Sequence, residues 1–178
     1  PAGSSDPGAN ETGIIVCALG EDDRGYALDD LTLHGTPQQW AERALAGYDL
    51  YEADAIVIET NYGGDMARNT IKALRPGVRV IEVRAHRGQK KHIRAEPISA
   101  LYSLGRISHV GALPKLEAQM CLTTAGGYEG EGSPDRMDAM VYGFTELFPK
   151  MVRRDQPRDK ARPIRQNDLY NPHRMARR

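Results

Sequence analysis

The sequence predicts a mixed α/β domain in which an antiparallel hairpin lies beside parallel strands, with helices flanking the sheet. Two short strand patterns near the start predict the hairpin. Farther along, a helix enclosed by two apolar strands requires a parallel crossover. The length of 178 residues suits one ordinary domain, which we place at residues 1–149, followed by a tail at 150–178.

The chain opens with a loop and two strands. Residues 1–13 are mostly turn-forming types without apolar periodicity, which indicates a loop. Residues 13–19 and 26–33 have strand-forming composition, and the turn residues at 20–25 between them favour an antiparallel hairpin.

The first helix is predicted to begin after Thr36. This threonine can serve as N-cap, with Pro37 at the first helical position and Gln39 completing a capping box. The helix then runs to about Glu52, because apolar residues follow at helical spacing. These residues are Trp40, Ala44, Leu45, Tyr48 and Tyr51.

A strand, a helix and a second strand follow. Residues 55–58 are apolar at successive positions, which is typical of a central strand covered on both faces, and the strand ends at Glu59. A helix is predicted over about 65–75, ended by Pro76, and the next strand covers 78–83.

The remaining elements are shorter except for the last helix. They are a basic loop at 86–94, a helix over about 95–104, a strand at 106–110, a helix over about 113–124 and a glycine-rich loop at 126–132. The last helix is predicted to begin after Ser133 as N-cap, with Pro134 at its first position. Its apolar stripe consists of Met137, Met140, Val141, Phe144, Leu147 and Phe148.

Charge is divided unevenly along the chain. Residues 150–178 hold ten of the 24 basic and three of the 24 acidic residues, so the tail carries +7 and the rest −7. The apolar periodicity ends after Pro149, and we expect a flexible basic arm attached to an acidic domain.

Composition and missing motifs exclude several classes of protein. With 40% hydrophobic and 27% charged residues, the chain is neither disordered nor fibrous. No apolar run approaches the roughly 18 residues of a membrane span. Cys17 and Cys121 suggest neither a disulfide framework nor a zinc site, so we expect the protein to reside in the reducing cytoplasm. The Walker A and G-x-S-x-G motifs are missing, which argues against ATP hydrolysis and serine-hydrolase chemistry.

Three carboxylates are candidates for chemistry. Glu59 follows a buried strand, and the working crevice of an open α/β sheet lies at the carboxyl ends of its strands. Asp138 falls at the boundary of the apolar stripe of the last helix, where it can be directed at the sheet. Asp135, one turn earlier, can either assist or simply complement the helix dipole. Glu59 is also compatible with a solvated strand end.

Carboxylates gathered by a strand and a helix are the ligands that magnesium or manganese prefers. Two such ions about 4 Å apart can activate a water and stabilise the leaving oxygen in phosphodiester cleavage. Without a metal, the same carboxylates would repel one another. This arrangement would explain an acidic domain that also carries basic loops.

The basic loop is a candidate nucleic-acid contact. Its positive charges are dense enough to contact a phosphate backbone, although a solvated loop is an equally good interpretation. These residues are Arg84, Arg87, Lys90, Lys91 and Arg94. The histidines His86, His92 and His109 show no zinc-ligand spacing.

Several segments form an ordered set of motifs. They are residues 58–66 (IETNYGGDM), 94–97 (RAEP), 101–102 (LY), 105–111 (GRISHVG), 116–120 (LEAQM) and 133–141 (SPDRMDAMV). Together they resemble the nuclease domain of tailed-bacteriophage terminase large subunits over about residues 1–148.

The resemblance implies a ribonuclease H-like fold whose carboxylates bind two metal ions, Mg²⁺ or Mn²⁺. It implies cleavage of concatemeric viral DNA during packaging in the host cytoplasm. It also implies an upstream ATPase domain and, as partners, the small terminase subunit and the portal. Carried over to this sequence, Glu59 corresponds to the acidic residue at the end of the central strand. Asp138 corresponds to the helical aspartate, with Asp135 as a neighbouring ligand or a residue that holds a water.

One departure from the family pattern concerns the first metal ligand. The family usually opens with a strand ending in Asp-Pro-Ala, and this sequence begins with Pro1 and Ala2. The resemblance therefore places the first strand and its aspartate before Pro1. Asp6 would replace that ligand only if the loop folded back.

The sequence favours a metal-dependent DNA endonuclease with little sequence specificity, since contacts to phosphates read no bases. In this interpretation Glu59, Asp138 and Asp135 bind metal, and Arg87, Lys90, Lys91 and Arg94 contact DNA. Two alternatives stay open. The domain could bind DNA or the portal without cleavage, or it could be another ribonuclease H-like nuclease such as a junction resolvase.

Overall fold

The computed structural model describes residues 11–60, 64–84 and 91–152. Within these ranges the chain forms a mixed α/β fold, which confirms the predicted fold class. Its elements in chain order are β1 (Ile15–Leu19), β2 (Gly25–Asp30), α1 (Pro37–Leu50), β3 (Ile56–Glu59), α2 (Gly64–Leu74), β4 (Val80–Val83), α3 (Lys91–Ser103), β5 (Ile107–His109), α4 (Pro114–Cys121), β6 (Thr123–Thr124), β7 (Gly127–Tyr128), α5 (Asp135–Leu147) and α6 (Pro149–Val152).

The described strands form three sheets. β1 and β2 make the predicted antiparallel hairpin, and β5 joins β2 in parallel. β3 and β4 pair in parallel and are connected through α2, so the predicted crossover is also confirmed. β6 and β7 form a small separate hairpin, in which β6 replaces the end of the helix predicted over about 113–124 and β7 lies in the predicted glycine-rich loop.

Helix α1 begins as its sequence predicts. The Thr36 hydroxyl accepts a hydrogen bond from the Gln39 amide at 3.3 Å, and the Gln39 side chain accepts one from the Thr36 amide at 2.8 Å. This reciprocal capping box satisfies two amides that the first helical turn leaves without intrahelical partners. Trp40 and Leu45 then bury one face of the helix.

The core consists of two apolar clusters. One surrounds α5 and contains the buried part of its predicted stripe, together with residues of α3, α4, β2 and β5. Its members from α5 are Met137, Met140, Val141 and Phe144. The other joins α1 and α2 to β3 through Trp40, Leu45, Ile58 and Ile71. A groove separates the hairpin strand β1 from β3, and α5 packs against both strands.

Several predicted boundaries were wrong. Residues 91–94 belong to α3 and not to the basic loop, because lysine and arginine are good helix formers and no breaker separates them from the helix. β2 ends at Asp30, and Leu33 lies beyond it in an isolated bridge to Thr12. α4 ends at Cys121, where the chain enters the β6–β7 hairpin.

The start of α5 also differs from the prediction. Pro134 is the N-cap, one position earlier than expected for a proline inside the first turn, and it provides no side-chain cap. The Asp135 amide instead donates a 2.9 Å hydrogen bond to the Ser133 carbonyl. After α5, Pro149–Val152 form one more helical turn where the flexible arm was predicted to begin.

β3 is central only in part. Its ladder to β4 covers one side, and among the described residues no strand pairs with its other side. That side faces the groove towards β1, which is lined by backbone and side chains of both strands. The apolar composition of β3 therefore reflects burial against α1, α2 and the groove.

Candidate metal and DNA site

Glu59 is the last residue of β3, at the carboxyl end of the parallel pair. The preceding Ile58 is buried in the core, and this anchors the end of the strand. The Glu59 side chain is 26% exposed and lines the groove between β1 and β3. The structure therefore holds a partly buried carboxylate in the crevice where ligands of open α/β sheets bind.

Asp138 reaches the same groove from the first turn of α5. Its side chain is 12% exposed, which agrees with the position at the edge of the apolar stripe that the sequence predicts. Met137 and Val141 on either side of it are buried in the core, so the backbone at Asp138 is held firmly. Two carboxylates distant in sequence thus converge.

Arg94 lies between these two carboxylates. Its Nη1 is 3.3 Å from Glu59 Oε1, and its Nη2 is 3.9 Å from Asp138 Oδ1. The Arg94 side chain is only 13% exposed, and its Nε has no hydrogen-bond partner among the described residues. One guanidinium therefore serves as a shared counter-ion for both acids.

Tyr142 completes this cluster from the next turn of α5. Its hydroxyl donates a 2.6 Å hydrogen bond to Glu59 Oε1, the same oxygen that faces Arg94. The Arg94 guanidinium carbon lies 5.1 Å from the centre of the Tyr142 ring, which is a cation–π contact. Tyr142 thus orients Glu59 and also packs against its counter-ion.

Asp135 lines the same groove, which has a volume of about 870 Å³. Within the described ranges, however, no three His, Cys, Asp or Glu side chains are grouped closely enough to hold a metal ion. The described acidic cluster is therefore the pair Glu59 and Asp138, with Asp135 nearby on the groove wall.

Arg136 fixes the start of α5 through partners other than this pair. It donates hydrogen bonds to both carboxylate oxygens of Glu11 and, at 2.7 Å through Nε, to Asp30. Its side chain is 5% exposed, and the hydrogen bond from Arg136 lowers the pKa of Glu11. The N-terminal segment, β2 and α5 are joined at this residue.

A second polar cluster joins α3, β5 and α4. The Tyr102 hydroxyl is 2.7 Å from His109 Nε2, and His109 Nδ1 is 3.0 Å from Glu117 Oε1. Glu117 also accepts the Leu113 amide at the start of α4, and these hydrogen bonds lower the pKa of Glu117. His109 is thus bound to neighbouring side chains that position α4, in agreement with a structural histidine.

Comparison with known families gives a direct match. A family model described as the terminase RNaseH-like domain matches residues 2–147. The chain belongs to this family. A search of curated proteins gives no match.

Membership of the terminase RNaseH-like domain family confirms the resemblance and the ribonuclease H-like fold that the sequence motifs indicate. Ribonuclease H-like nuclease domains generally use divalent metal ions. The donor chemistry in this structure fits such an ion, since Glu59 and Asp138 offer hard carboxylate oxygens. Magnesium is commonly held by one or two carboxylates, with waters and substrate phosphates completing its shell.

Several residues predicted for this terminase domain lie outside the described residues. They are Asp6, Arg87 and Lys90, with the histidine at 86 and the tail from 153 onward. The backbone of Lys91 is described as part of α3, whereas its side chain is not. Arg94 is the predicted DNA contact whose side chain can be placed. None of the described helices is long and apolar enough to cross a membrane.

Sequence reasoning missed Tyr142 and Arg136. Tyr142 stands four residues after Asp138 in the same helix, so the two share a face, and this spacing was a usable signal. The partners of Arg136 lie 106 and 125 residues away, and no local pattern connects them.

Proposed function

We propose that this terminase RNaseH-like domain is a metal-dependent endonuclease that cuts concatemeric double-stranded viral DNA during packaging. The observation that carries this proposal is the convergence of Glu59 and Asp138 on one guanidinium, although the two acids are far apart in sequence. Burying two carboxylates together is unfavourable unless a cation neutralises them. A site built in this way is suited to capture a divalent cation.

Each side chain has a definite task in this proposal. Glu59 and Asp138 hold the ion, and Tyr142 fixes the orientation of Glu59 through its 2.6 Å hydrogen bond. Asp135 acts as an auxiliary ligand or holds a water. A pair of Mg²⁺ or Mn²⁺ ions bound here would supply an activated water and stabilise the leaving oxygen of the phosphodiester.

The groove supports the expectation of a further ligand. It runs between two strand edges, β1 and β3, and the walls contributed by β1 are mainly apolar. A strand added between these edges would have to lie about 4.8 Å from each of them to pair with it. If it ran parallel to β3, its carboxyl end would lie beside Glu59. An aspartate at that end would give the third carboxylate of the family pattern.

DNA would be bound through its phosphates. Arg94 lies at the acidic pair, and the basic residues Arg87, Lys90 and Lys91 precede it in the sequence. Contacts of this kind are independent of base sequence. We therefore propose cleavage with little sequence specificity. The family further suggests an ATPase domain in the same polypeptide, the small terminase subunit and the portal as partners in the host cytoplasm.

Plasmid nicking tests the proposal. Purified full-length protein should nick supercoiled plasmid with Mg²⁺ or Mn²⁺ and lose this activity with a chelator. Glu59→Gln and Asp138→Asn should each reduce the rate by at least about a hundredfold, because a metal ligand is lost. Asp49→Asn, which removes a carboxylate from a surface ion pair with Arg75, is the matched control and should cut normally.

The same assay separates the alternatives. Unimpaired cutting by Glu59→Gln and Asp138→Asn would contradict the assigned roles. Salt-sensitive retention of DNA without metal-dependent cutting would favour a binding module of the packaging motor. A strong preference for branched over linear DNA would favour a junction resolvase.

A further inference from the structure

Arg94 and Arg136 are both largely buried arginines, but their hydrogen bonding differs. Arg136 makes a bidentate pair with Glu11 and donates a further 2.7 Å hydrogen bond to Asp30, so each of its three guanidinium nitrogens donates a hydrogen bond. Arg94 makes one 3.3 Å hydrogen bond to Glu59 and a looser 3.9 Å ion pair with Asp138.

The Nε of Arg94 is a second sign of incomplete binding. It is buried and has no hydrogen-bond partner among the described residues. A buried donor without a partner costs about 1–3 kcal/mol, and such groups in folded proteins call for an explanation. Arg94 is therefore held by charge and by the Tyr142 ring more than by directed hydrogen bonds.

We propose that Arg94 is an exchangeable counter-cation of the acidic pair, resting on the function proposed above. In the metal-free protein its guanidinium neutralises Glu59 and Asp138 and keeps them together. When a divalent cation binds the two carboxylates, Arg94 leaves them and becomes available to a phosphate. The weak, divided contacts of Arg94 suit a group that must be displaced, whereas those of Arg136 suit a permanent link.

The effect of removing Arg94 on metal affinity differs between an exchangeable counter-cation and a purely structural arginine. If Arg94 competes with the metal for the same carboxylates, its removal must strengthen metal binding, because binding and competition are thermodynamically linked. If Arg94 only maintained the shape of the site, its removal would weaken metal binding or leave it unchanged. The direction of the change decides between the two.

The experiment is a Mn²⁺ titration of the purified full-length protein without DNA, with free Mn²⁺ measured by electron paramagnetic resonance. Arg94→Met replaces the guanidinium by an uncharged, unbranched side chain and should bind Mn²⁺ about tenfold more tightly, as a coupling of ordinary size gives. Arg24→Met is the matched control. Arg24 also has a buried Nε without a hydrogen-bond partner in the described part of the chain and a cation–π contact with Tyr26, and its removal should leave Mn²⁺ affinity unchanged.

The outcomes distinguish this proposal from the proposed function. If Glu59→Gln abolishes Mn²⁺ binding but folded Arg94→Met binds no more tightly than the unaltered protein, the counter-cation proposal is overturned and the metal site stands. If neither the unaltered protein nor Arg94→Met binds Mn²⁺, both proposals fail together.

A measurement on the unaltered protein covers the case in which Arg94→Met does not fold. The Arg94 Nε–H resonance, assigned by its absence in Arg94→Lys, should shift when Mg²⁺ is added and lose its protection from exchange. A resonance that stays unchanged at Mg²⁺ concentrations saturating the protein would overturn the proposal.

Discussion

The Tyr142 hydroxyl donates a 2.6 Å hydrogen bond to Glu59 Oε1 and thereby ties α5 to the carboxyl end of β3. This bond fixes one oxygen of the Glu59 carboxylate in the groove. Replacing a residue that orients a metal-binding side chain without touching the metal commonly lowers metal affinity or activity about 10–100-fold.

Replacing Tyr142 by phenylalanine removes only the hydroxyl. We expect Tyr142→Phe to bind Mn²⁺ and to nick plasmid about tenfold less well, because Glu59 loses its orienting donor. Isothermal titration with Mn²⁺ and nicking rates measure the two effects. Tyr26→Phe is the control, since the Tyr26 hydroxyl also donates to a carboxylate, that of exposed Asp22. Equal losses in both variants would contradict a special role for Tyr142.

Arg136 should be far more important for stability than for chemistry. Arg136→Met leaves Glu11 and Asp30 without their shared cation, and removing one partner of a buried ion pair costs about 3–5 kcal/mol. Urea unfolding measures this loss. Arg75→Met breaks the exposed pair with Asp49 and should change stability little. A stable Arg136→Met protein would show that the N-terminal segment and α5 are held together by other contacts.

Acid should weaken the protein through two glutamates. Hydrogen bonds from Arg136 and from His109 lower the pKa of Glu11 and of Glu117 from the ordinary value of 4.5. The ionised carboxylates are therefore favoured in the folded state. Their contribution is complete above about pH 4.5 and is lost as the pH falls through the lower folded values.

Denaturant unfolding between about pH 7 and pH 3 checks this expectation. Stability should decline on the acid side, and the decline should be smaller in Glu11→Gln, which has no carboxylate to protonate. Glu21→Gln changes an exposed carboxylate in the turn between β1 and β2 and serves as control. An acid slope that is identical in Glu11→Gln and the unaltered protein would contradict the role of Glu11.

Local signals explain which parts could be predicted. The capping box at Thr36, the continuous apolar run before Glu59 and the stripe on α5 act within a few residues, so the sequence shows them directly. The convergence of Glu59 and Asp138 was predicted from the strand end at Glu59, from the position of Asp138 at the edge of the α5 stripe and from the resemblance. The roles of Tyr142 and Arg94 depend on how α3 and α5 cross β3, which tertiary packing decides.

Gly13 lies against the start of α5, where a side chain would not fit. A Cβ at Gly13 would collide with the backbone carbonyl of Asp135. Gly13→Ala should therefore push the N-terminal segment away from α5 and cost about 1–3 kcal/mol, as overpacking does. Gly77→Ala is the control, because a Cβ there meets nothing within 4 Å. Thermal unfolding should separate the two variants, and equal midpoints would show that the segment adjusts without cost.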